Sequence, residues 1–158
     1  MTVHHFTFHI TDKSDASDIR EVETRAFGFS KEADLVASLL EDESARPALS
    51  LLARYEGKAV GHILFTRATF KGEMDSPLMH ILAPLAVIPE YQGMGVGGRL
   101  IRTGIEHLRL MGCQTVFVLQ LRLMHSVINH WEITVLLQLI KQAKVGAPVT
   151  AQVFVQHG

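Results

Sequence analysis

Hydrophobic and polar positions alternate along the first part of the chain in a way that predicts strands interleaved with helices. Residues 5–11 place alternate apolar side chains on one face, as in a strand with one buried side. Two segments with apolar residues at helical spacing follow, the second one after Ser30. Residues 48–55 and 58–70 then predict a hairpin around the turn Glu56-Gly57.

The second part of the chain continues this alternation. The pattern predicts a strand at about 77–87, an amphipathic helix at 97–111 and a further strand at 115–121. A helical apolar face and a last strand at 148–155 complete the series. The order of elements predicts an α/β (α+β) fold, and the length of 158 residues suits a single domain over residues 1–158.

Four glycines lie where the strand at 77–87 leads into the helix that follows it. The stretch reads Gln92-Gly93-Met94-Gly95-Val96-Gly97-Gly98. Without a Cβ atom, glycine adopts left-handed angles and leaves consecutive backbone N–H groups pointing into one concavity. The positive end of the helix dipole adds to this attraction for anions. The stretch therefore predicts a cradle for a phosphate or pyrophosphate group, since a plain turn needs only one or two glycines.

Two well-known phosphate loops fit this stretch badly. The nucleotide P-loop requires a Lys-Ser or Lys-Thr pair after its glycines, and none follows here. The dinucleotide fingerprint matches the spacing of Gly93, Gly95 and Gly98 but also requires an acidic ribose partner. Residues 116–121 carry no carboxylate, which disfavours a Rossmann-like oxidoreductase.

A third pattern fits better. Gln92-x-x-Gly95-x-Gly97 resembles the acetyl-CoA signature of the GNAT N-acetyltransferase superfamily. Residues 82–91 resemble the fourth strand of that family, and residues 51–65 resemble its second and third strands. The similarity covers roughly residues 5–119 and extends to a branch of bacterial predicted N-acetyltransferases through Phe27, Glu32, Leu35 and Val36.

The resemblance implies a mixed, mostly antiparallel central sheet that is splayed between strands 4 and 5 and flanked by helices. It implies transfer of an acetyl group from acetyl-CoA, a co-substrate, to a primary amine of a small molecule or protein. The pantetheine arm would lie along the fourth strand and the pyrophosphate on the glycine loop. The residues so implicated are Leu85, Ala86, Val87, Gln92, Gly93, Met94, Gly95, Val96, Gly97, Gly98 and Arg99.

The catalytic groups are less clearly marked. His80 lies on the fourth strand, where the family often has a base, and imidazole titrates near neutrality. Glu73, in the turn before that strand, is a second candidate for the base. His125 is the candidate for the acid in place of the tyrosine that the family usually carries. His62 is expected to be structural.

The tail after about residue 120 does not follow the family pattern. The expected tyrosine and aromatic-glycine segment are missing, because the chain has tyrosine only at positions 55 and 91. A shifted reading frame, genuine divergence and a dimerising tail all remain open, and a homodimer is possible. The altered tail also favours a second hypothesis, an acetyl-CoA or CoA-binding module with little or no turnover.

Composition and charge limit which partners, metal sites and cellular locations are expected. The formal net charge of −1 argues against a nucleic-acid partner bound through bulk charge. Residues 1–75 carry 13 acidic and 9 basic residues, whereas residues 76–158 carry 3 and 6, so the half with the cradle is positive. One cysteine and the spacing of the histidines predict no metal site. The sequence predicts no signal peptide and no membrane partner, so a cytoplasmic location is expected.

Overall fold

The computed structural model describes residues 5–69, 77–120 and 150–155, and of residues 119–120 and 150–155 only the backbone. Glu73, His125 and the helical tail segment lie outside the described residues. Within the described ranges the α-helices are α1 (Ala16–Phe27), α2 (Lys31–Glu41) and α3 (Val96–Leu110). The strands are β1 (Phe6–Ile10), β2 (Leu49–Tyr55), β3 (Lys58–Ala68), β4 (Met79–Val87), β5 (Thr115–Gln120) and β6 (Thr150–Val155).

The described strands form one mixed sheet in the order β1-β2-β3-β4-β5-β6. The three pairings from β1 to β4 are antiparallel, and β5 pairs in parallel with both β4 and β6. The helices cover opposite faces of the sheet. Gly61 of β3 faces α3, while the neighbouring His62 contacts α1, as the alternation of side chains along a strand requires. The predicted mixed, mostly antiparallel α/β fold is confirmed.

Apolar side chains fill both faces of the sheet. The larger cluster lies mainly between the sheet and α3, and its largest fully buried members are Leu51, Ile63, Phe65, Leu82, Leu85, Ile88, Leu100 and Leu108. A smaller cluster lies under α1 and α2 and contains Ile19, Val36, Leu52 and Leu64. Each helix therefore buries one apolar stripe, which is how the helical spacing in the sequence is used.

Strands β4 and β5 separate partway along their length. Met79–Leu82 pairs with Thr115–Val118, but β4 continues to Val87 with β3 as its one strand partner among the described residues. The break coincides with a bulge in the pairing with β3. Leu82 pairs with Phe65 and Leu85 pairs with Ile63, so β4 has one more residue than β3 between these two pairs. Ala83 and Pro84 form the bulge. Proline has no N–H group to donate to a neighbouring strand. The predicted splay between the fourth and fifth strands is confirmed.

The first turns of α3 pack against a row of four residues that has the small residues Ala53 and Gly61 at its centre. Register places Phe8, Ala53, Gly61 and Val87 side by side across four strands on the α3 face. A Cβ atom on Gly61 would lie 3.1 Å from side-chain atoms of both Leu100 and Val96. The missing side chain therefore allows the start of α3 to approach the sheet at β3.

A second close approach occurs farther along α3. A Cβ atom on Gly104 would lie 2.7 Å from Cζ of the buried Phe65 ring and closer still to its Cε2 atom. Real Cβ atoms do not come this near to an aromatic carbon, so the helix and the ring could not both keep their positions. Packing against Phe65 therefore requires glycine at position 104, although glycine weakens a helix by about 1 kcal/mol.

His80 links three elements in the core beneath the end of α3. Its Nε2 atom donates to the carbonyl oxygen of Pro47 at 2.7 Å, and its Nδ1 atom lies 3.3 Å from Sγ of Cys113. The side chain is fully buried. Burial lowers the pKa of His80, the hydrogen bond to Pro47 raises it, and the charge of Arg67 lowers it, with a net decrease. The ring is therefore neutral at pH 7 and joins β4 to the start of β2.

We predict that Gly104→Ala destabilises the fold by about 1–3 kcal/mol, because the new methyl group overlaps Phe65. Gly98→Ala is the matched control in the same helix, since a Cβ atom there meets nothing within 4 Å. The control should change stability by no more than about 1 kcal/mol, in the stabilising direction. Urea unfolding of both variants checks this prediction, and equal stabilities would contradict it.

The neutral, buried His80 also predicts a dependence of stability on pH. The unfolded chain takes up a proton below the ordinary histidine pKa of 6.5, whereas folded His80 resists protonation. The free energy of unfolding should therefore be greatest above pH 6.5 and fall as the pH drops towards the lower folded pKa. His80→Gln should flatten this part of the curve, and His5→Gln, at an exposed position, should not. Denaturation curves at several pH values provide the measurement.

Candidate functional site

The loop between β4 and α3 is held at its base by one side chain. After β4 ends at Val87, a short 3₁₀ turn at Pro89–Tyr91 leads into the glycine stretch. The side-chain amide of Gln92 donates to the carbonyl oxygen of Val87 at 2.9 Å. This bond returns the loop to the end of the strand. The first residue of the predicted signature therefore has a visible role in shaping the loop.

Two glycines bend the loop into the helix. Gly93 and Gly95 have φ values of 74° and 80°, in the left-handed region that side-chain-bearing residues rarely adopt. Gly95 is the N-cap residue of α3, and no side chain caps this end within the described part of the chain. A Cβ atom on Gly93, Gly95 or Gly98 would meet nothing within 4 Å. Open space therefore lies in front of the loop.

The first turn of α3 offers free donors to that open space. The first intrahelical bond from this turn is the one from the Arg99 N–H to the carbonyl oxygen of Gly95, at 3.1 Å. The N–H groups of Val96, Gly97 and Gly98 precede it and, as in every α-helix, have no acceptor inside the helix. The first turn carries no acidic side chain. An anion placed here would meet N–H donors and the positive end of the helix dipole.

The unpaired part of β4 leads directly to these donors. Beyond the bulge at Ala83 and Pro84, the edge of β4 that faces β5 has no strand partner among the described residues. A Cβ atom on Gly97 would lie 3.6 Å from Leu85 and 3.8 Å from Val87. The end of the strand and the start of the helix are therefore in contact, so an elongated ligand can follow the strand edge and reach the loop.

Arg99 is oriented by an aromatic side chain. Its guanidinium carbon lies 4.5 Å from the centroid of the Phe8 ring, a cation–π geometry, and the arginine remains exposed. This contact keeps a positive charge beside the first turn of α3. The sequence marks Arg99 as a candidate but gives no sign of Phe8, because the two residues meet only when α3 packs on the face of the sheet to which Phe8 of β1 points.

An ion pair connects the loop to α1. Arg25 of α1 pairs with Glu90 in the 3₁₀ turn before the glycines. A hydrogen bond from its own backbone N–H, together with the positive charge of Arg25, keeps the pKa of Glu90 below its usual value. Sequence reasoning misses this contact, since the two residues are 65 positions apart.

His80, the one catalytic candidate from the sequence that falls in the described residues, does not lie at this site. His80 is buried, with both ring nitrogens in contact with protein atoms, on the stretch of β4 that still pairs with β5. This position does not favour a base that must reach a substrate amine, so the role of His80 as a base stays a prediction. Glu73 and His125 lie outside the described residues.

A buried chain of polar side chains lies on the opposite face of the sheet, and sequence reasoning missed it. Glu23 Oε1 accepts from His62 Nδ1 at 2.5 Å, and His62 Nε2 lies 2.9 Å from Oγ of Ser50. All three side chains are at most 6% exposed. One signal was available in the sequence, because Glu23 falls one helical turn after Ile19 on the apolar face of its helix.

The described residues lack two other functional features. Residues 5–69, 77–120 and 150–155 include no helix that is long and apolar enough to cross a membrane. The same residues bring together no group of three or more metal-ligating side chains.

Comparison with known proteins agrees with this geometry. The acetyltransferase (GNAT) family model matches residues 16–126. The uncharacterized N-acetyltransferase YhbS of Escherichia coli K12 is 34% identical over 107 residues, which cover 66% of this chain and 61% of the relative. The match therefore spans about three fifths of the length of this curated relative.

Solved structures give the same result. A GNAT family acetyltransferase from Brucella melitensis, determined in complex with acetyl-CoA, has a TM-score of 0.66 and 32% identity, and the match covers 78% of this chain and 82% of that one. YhbS from Escherichia coli, determined in complex with CoA, has a TM-score of 0.69 and 28% identity over 80% of this chain and 68% of that one. Because the family model matches well over half of this chain, the chain belongs to the GNAT acetyltransferase family.

Proposed function

We propose that this chain binds acetyl-CoA and transfers the acetyl group to a primary amine of a small molecule or protein. One observation carries the proposal: the unpaired edge of β4 ends at uncapped N–H groups of α3, which suits a ligand with a peptide-like arm and a pyrophosphate. The acetyl-CoA and CoA complexes of the two structural relatives support this assignment.

Each part of the ligand has a proposed partner. The backbone of Leu85, Ala86 and Val87 hydrogen-bonds the pantetheine arm as an added strand would. The pyrophosphate lies on the loop that is framed by Gln92, Gly93, Met94, Gly95, Val96, Gly97 and Gly98. Arg99, stacked on Phe8, adds a positive charge beside it. A backbone N–H near Leu85 or Ala86 polarises the thioester carbonyl.

The transfer itself requires little more than alignment and proton movement. Holding the amine and the thioester in one orientation is worth about 7–11 kcal/mol of the barrier in favourable cases. The attacking amine must lose a proton, and the departing CoA thiolate must gain one. The splayed strands bring the acetyl group to the middle of the sheet, where it is accessible from the face that carries α1 and α2.

A specific observation favours a second candidate, a CoA-binding module with little turnover. The only tyrosines, Tyr55 and Tyr91, pack against each other with ring centroids 5.5 Å apart, and Tyr91 also packs on Phe6. Neither is a free replacement for the family tyrosine that protonates the thiolate. Loss of a general acid typically lowers the rate by about 10²–10⁴-fold, so binding would survive with slow transfer.

We predict that Gly95→Glu abolishes CoA binding, because a carboxylate then occupies the space in front of the N–H groups. Isothermal calorimetry with acetyl-CoA and CoA should give micromolar binding for the parent chain and at least a 100-fold loss for the variant. Gly112→Glu is the matched control: it also replaces a left-handed, open glycine, with φ of 85°, but at the other end of α3.

The control separates loss of the site from loss of the fold, since both variants place a glutamate at a strained position. Equal CoA binding by the parent and by Gly95→Glu would show that the loop is not the binding site. Release of CoA thiol from acetyl-CoA in the presence of amines then distinguishes the enzyme from the binding module.

A further inference from the structure

Three polar side chains on the α1 face of the sheet form an ordered series that the proposed acetyl transfer does not use. The Glu23 carboxylate accepts a hydrogen bond from Nδ1 of His62 at 2.5 Å, and Nε2 of His62 lies 2.9 Å from Oγ of Ser50. The exposed fraction of each residue is 6% or less. A carboxylate on one imidazole nitrogen and a serine hydroxyl on the other is the arrangement that makes serine a nucleophile in hydrolytic enzymes.

Two strands and one helix hold this series in place. The register pairs Leu52 with His62, and Ser50 comes two residues before Leu52, so Ser50 and His62 are diagonal neighbours on one face of β2 and β3. Glu23 reaches the same imidazole from α1. Leu52 and Leu64, on the same face of the two strands, belong to the smaller apolar cluster. These dry surroundings strengthen the hydrogen bonds, because water does not compete for them.

The contacts determine which nitrogen of His62 accepts a proton. Burial raises the pKa of Glu23, the hydrogen bond and charge of His62 lower it, and the charge of Glu32 raises it, with a net increase. His62 thus favours the charged carboxylate, and its Nδ1 atom keeps the proton that it donates to Glu23. Nε2 then directs a lone pair at Ser50, whose hydroxyl donates to it. In this tautomer His62 can act as a general base for Ser50.

Ser50 is also accessible, because it lines an open cleft of about 600 Å³. Leu40 of α2 and Ala48 line the same cleft and pack on the smaller apolar cluster, so the cleft lies on the face to which the Ser50 hydroxyl points. Arg46 adds a positive charge to the lining. Its ion pair with Glu43, at 3.5 Å between two mostly exposed side chains, holds it only weakly. A short acyl ester would therefore find apolar walls and a cation for its developing oxyanion.

The cleft and the proposed CoA loop are separate. Ala53 of β2 and Gly61 of β3 lie under the first turns of α3, on the α3 face. Ser50 comes three residues before Ala53 in β2, about 10 Å along the strand, and points to the opposite face. A ligand in the cleft therefore does not occupy the space in front of the glycine loop.

We propose that Ser50, His62 and Glu23 form a second catalytic site, which hydrolyses short acyl esters bound in the cleft. Ser50 is the nucleophile and His62 is the general base, so both contact the reacting atoms. Glu23 is a positioning residue, because it holds the ring of His62 and stabilises the imidazolium that forms. The inference is independent of the proposed acetyltransferase function, since it uses neither CoA nor the glycine loop.

The reaction balances with water as the co-reactant. Oγ of Ser50 bonds to the carbonyl carbon of the ester while its proton passes to Nε2 of His62. The bond from that carbon to the alcohol oxygen breaks, and His62 gives the proton to the departing alcohol. Water, deprotonated by His62, then attacks the acyl-serine, and the proton returns to Oγ as the carboxylic acid leaves. Each ester and water molecule yields one acid and one alcohol.

Diisopropyl fluorophosphate is the first probe, since an activated serine displaces its fluoride and retains the phosphoryl group. The full chain is incubated with this reagent, and the labelled peptide is identified by mass spectrometry. We expect an adduct on Ser50 that forms in the folded chain and not in urea. No adduct, or an adduct on another residue alone, overturns the inference, and this result does not depend on the folding of any variant.

Hydrolysis of p-nitrophenyl acetate by the full chain then measures turnover. The matched control is Ser44→Ala, which removes a nearby hydroxyl that donates to Asp42 and not to a histidine. The parent chain and the control should release an initial burst of about one p-nitrophenol per chain, and Ser50→Ala should lose this burst. His62→Gln should slow acylation by about 10²–10⁴-fold. Glu23→Gln should lower kcat and leave KM unchanged, a split that a purely structural role would not give.

Equal hydrolysis by the parent chain and by Ser50→Ala contradicts the inference, as does an effect of Glu23→Gln on KM alone. Should Ser50→Ala fail to fold in urea titrations, Ser50→Cys takes its place, because it keeps a nucleophile beside His62. Iodoacetamide should then alkylate position 50 before the buried Cys113, and the reverse order would overturn the inference. Calorimetry of the parent chain with acetyl-CoA decides the proposed acetyltransferase function separately.

Discussion

The bulge at Ala83 and Pro84 is the constraint on which the site depends. Up to Leu82, β4 is an ordinary inner strand with a partner on each side. At the bulge the strand gains one residue relative to β3 and receives a proline that cannot donate to β5. The pairing with β5 stops there, although β4 runs five residues farther. A sheet without this defect would have no free strand edge in its interior.

The free edge is useful only because α3 starts at its end. Small side chains at Ala53 and Gly61 let the first turns of α3 lie close to β2 and β3, which fixes where its N–H groups point. Gly93 and Gly95 supply the left-handed turns, and Gln92 ties the loop to Val87. Neighbouring residues in the sequence form the glycine loop, but Ala53 and Gly61 in the sheet set its position. The donors and the strand edge therefore form one continuous surface.

The sequence predicted this local part well, because a glycine loop, its strand and its helix are consecutive in the chain. The mixed sheet and the splay could be predicted from a family resemblance, and both are confirmed. His80 illustrates the limit of such reasoning. Its position on β4 is visible in the sequence, but its burial and its bonds near Cys113 and Pro47 depend on elements 33 residues away in either direction.

Glu23 shows why the α1 face of the sheet is harder to read from the sequence. A glutamate on an apolar helical face is a visible anomaly, yet its meaning depends on His62, 39 residues later, and on Glu32 in another helix. The same strand, β4, meets the N–H donors of α3 on one face and neighbours Glu23 through His62 of β3 on the other face. The proposed transfer between two bound substrates would need such a division, because each substrate must reach the acetyl carbon without displacing the other. The bulge makes this possible, since it frees the strand edge between the two faces while β3 continues to hold β4 in the sheet.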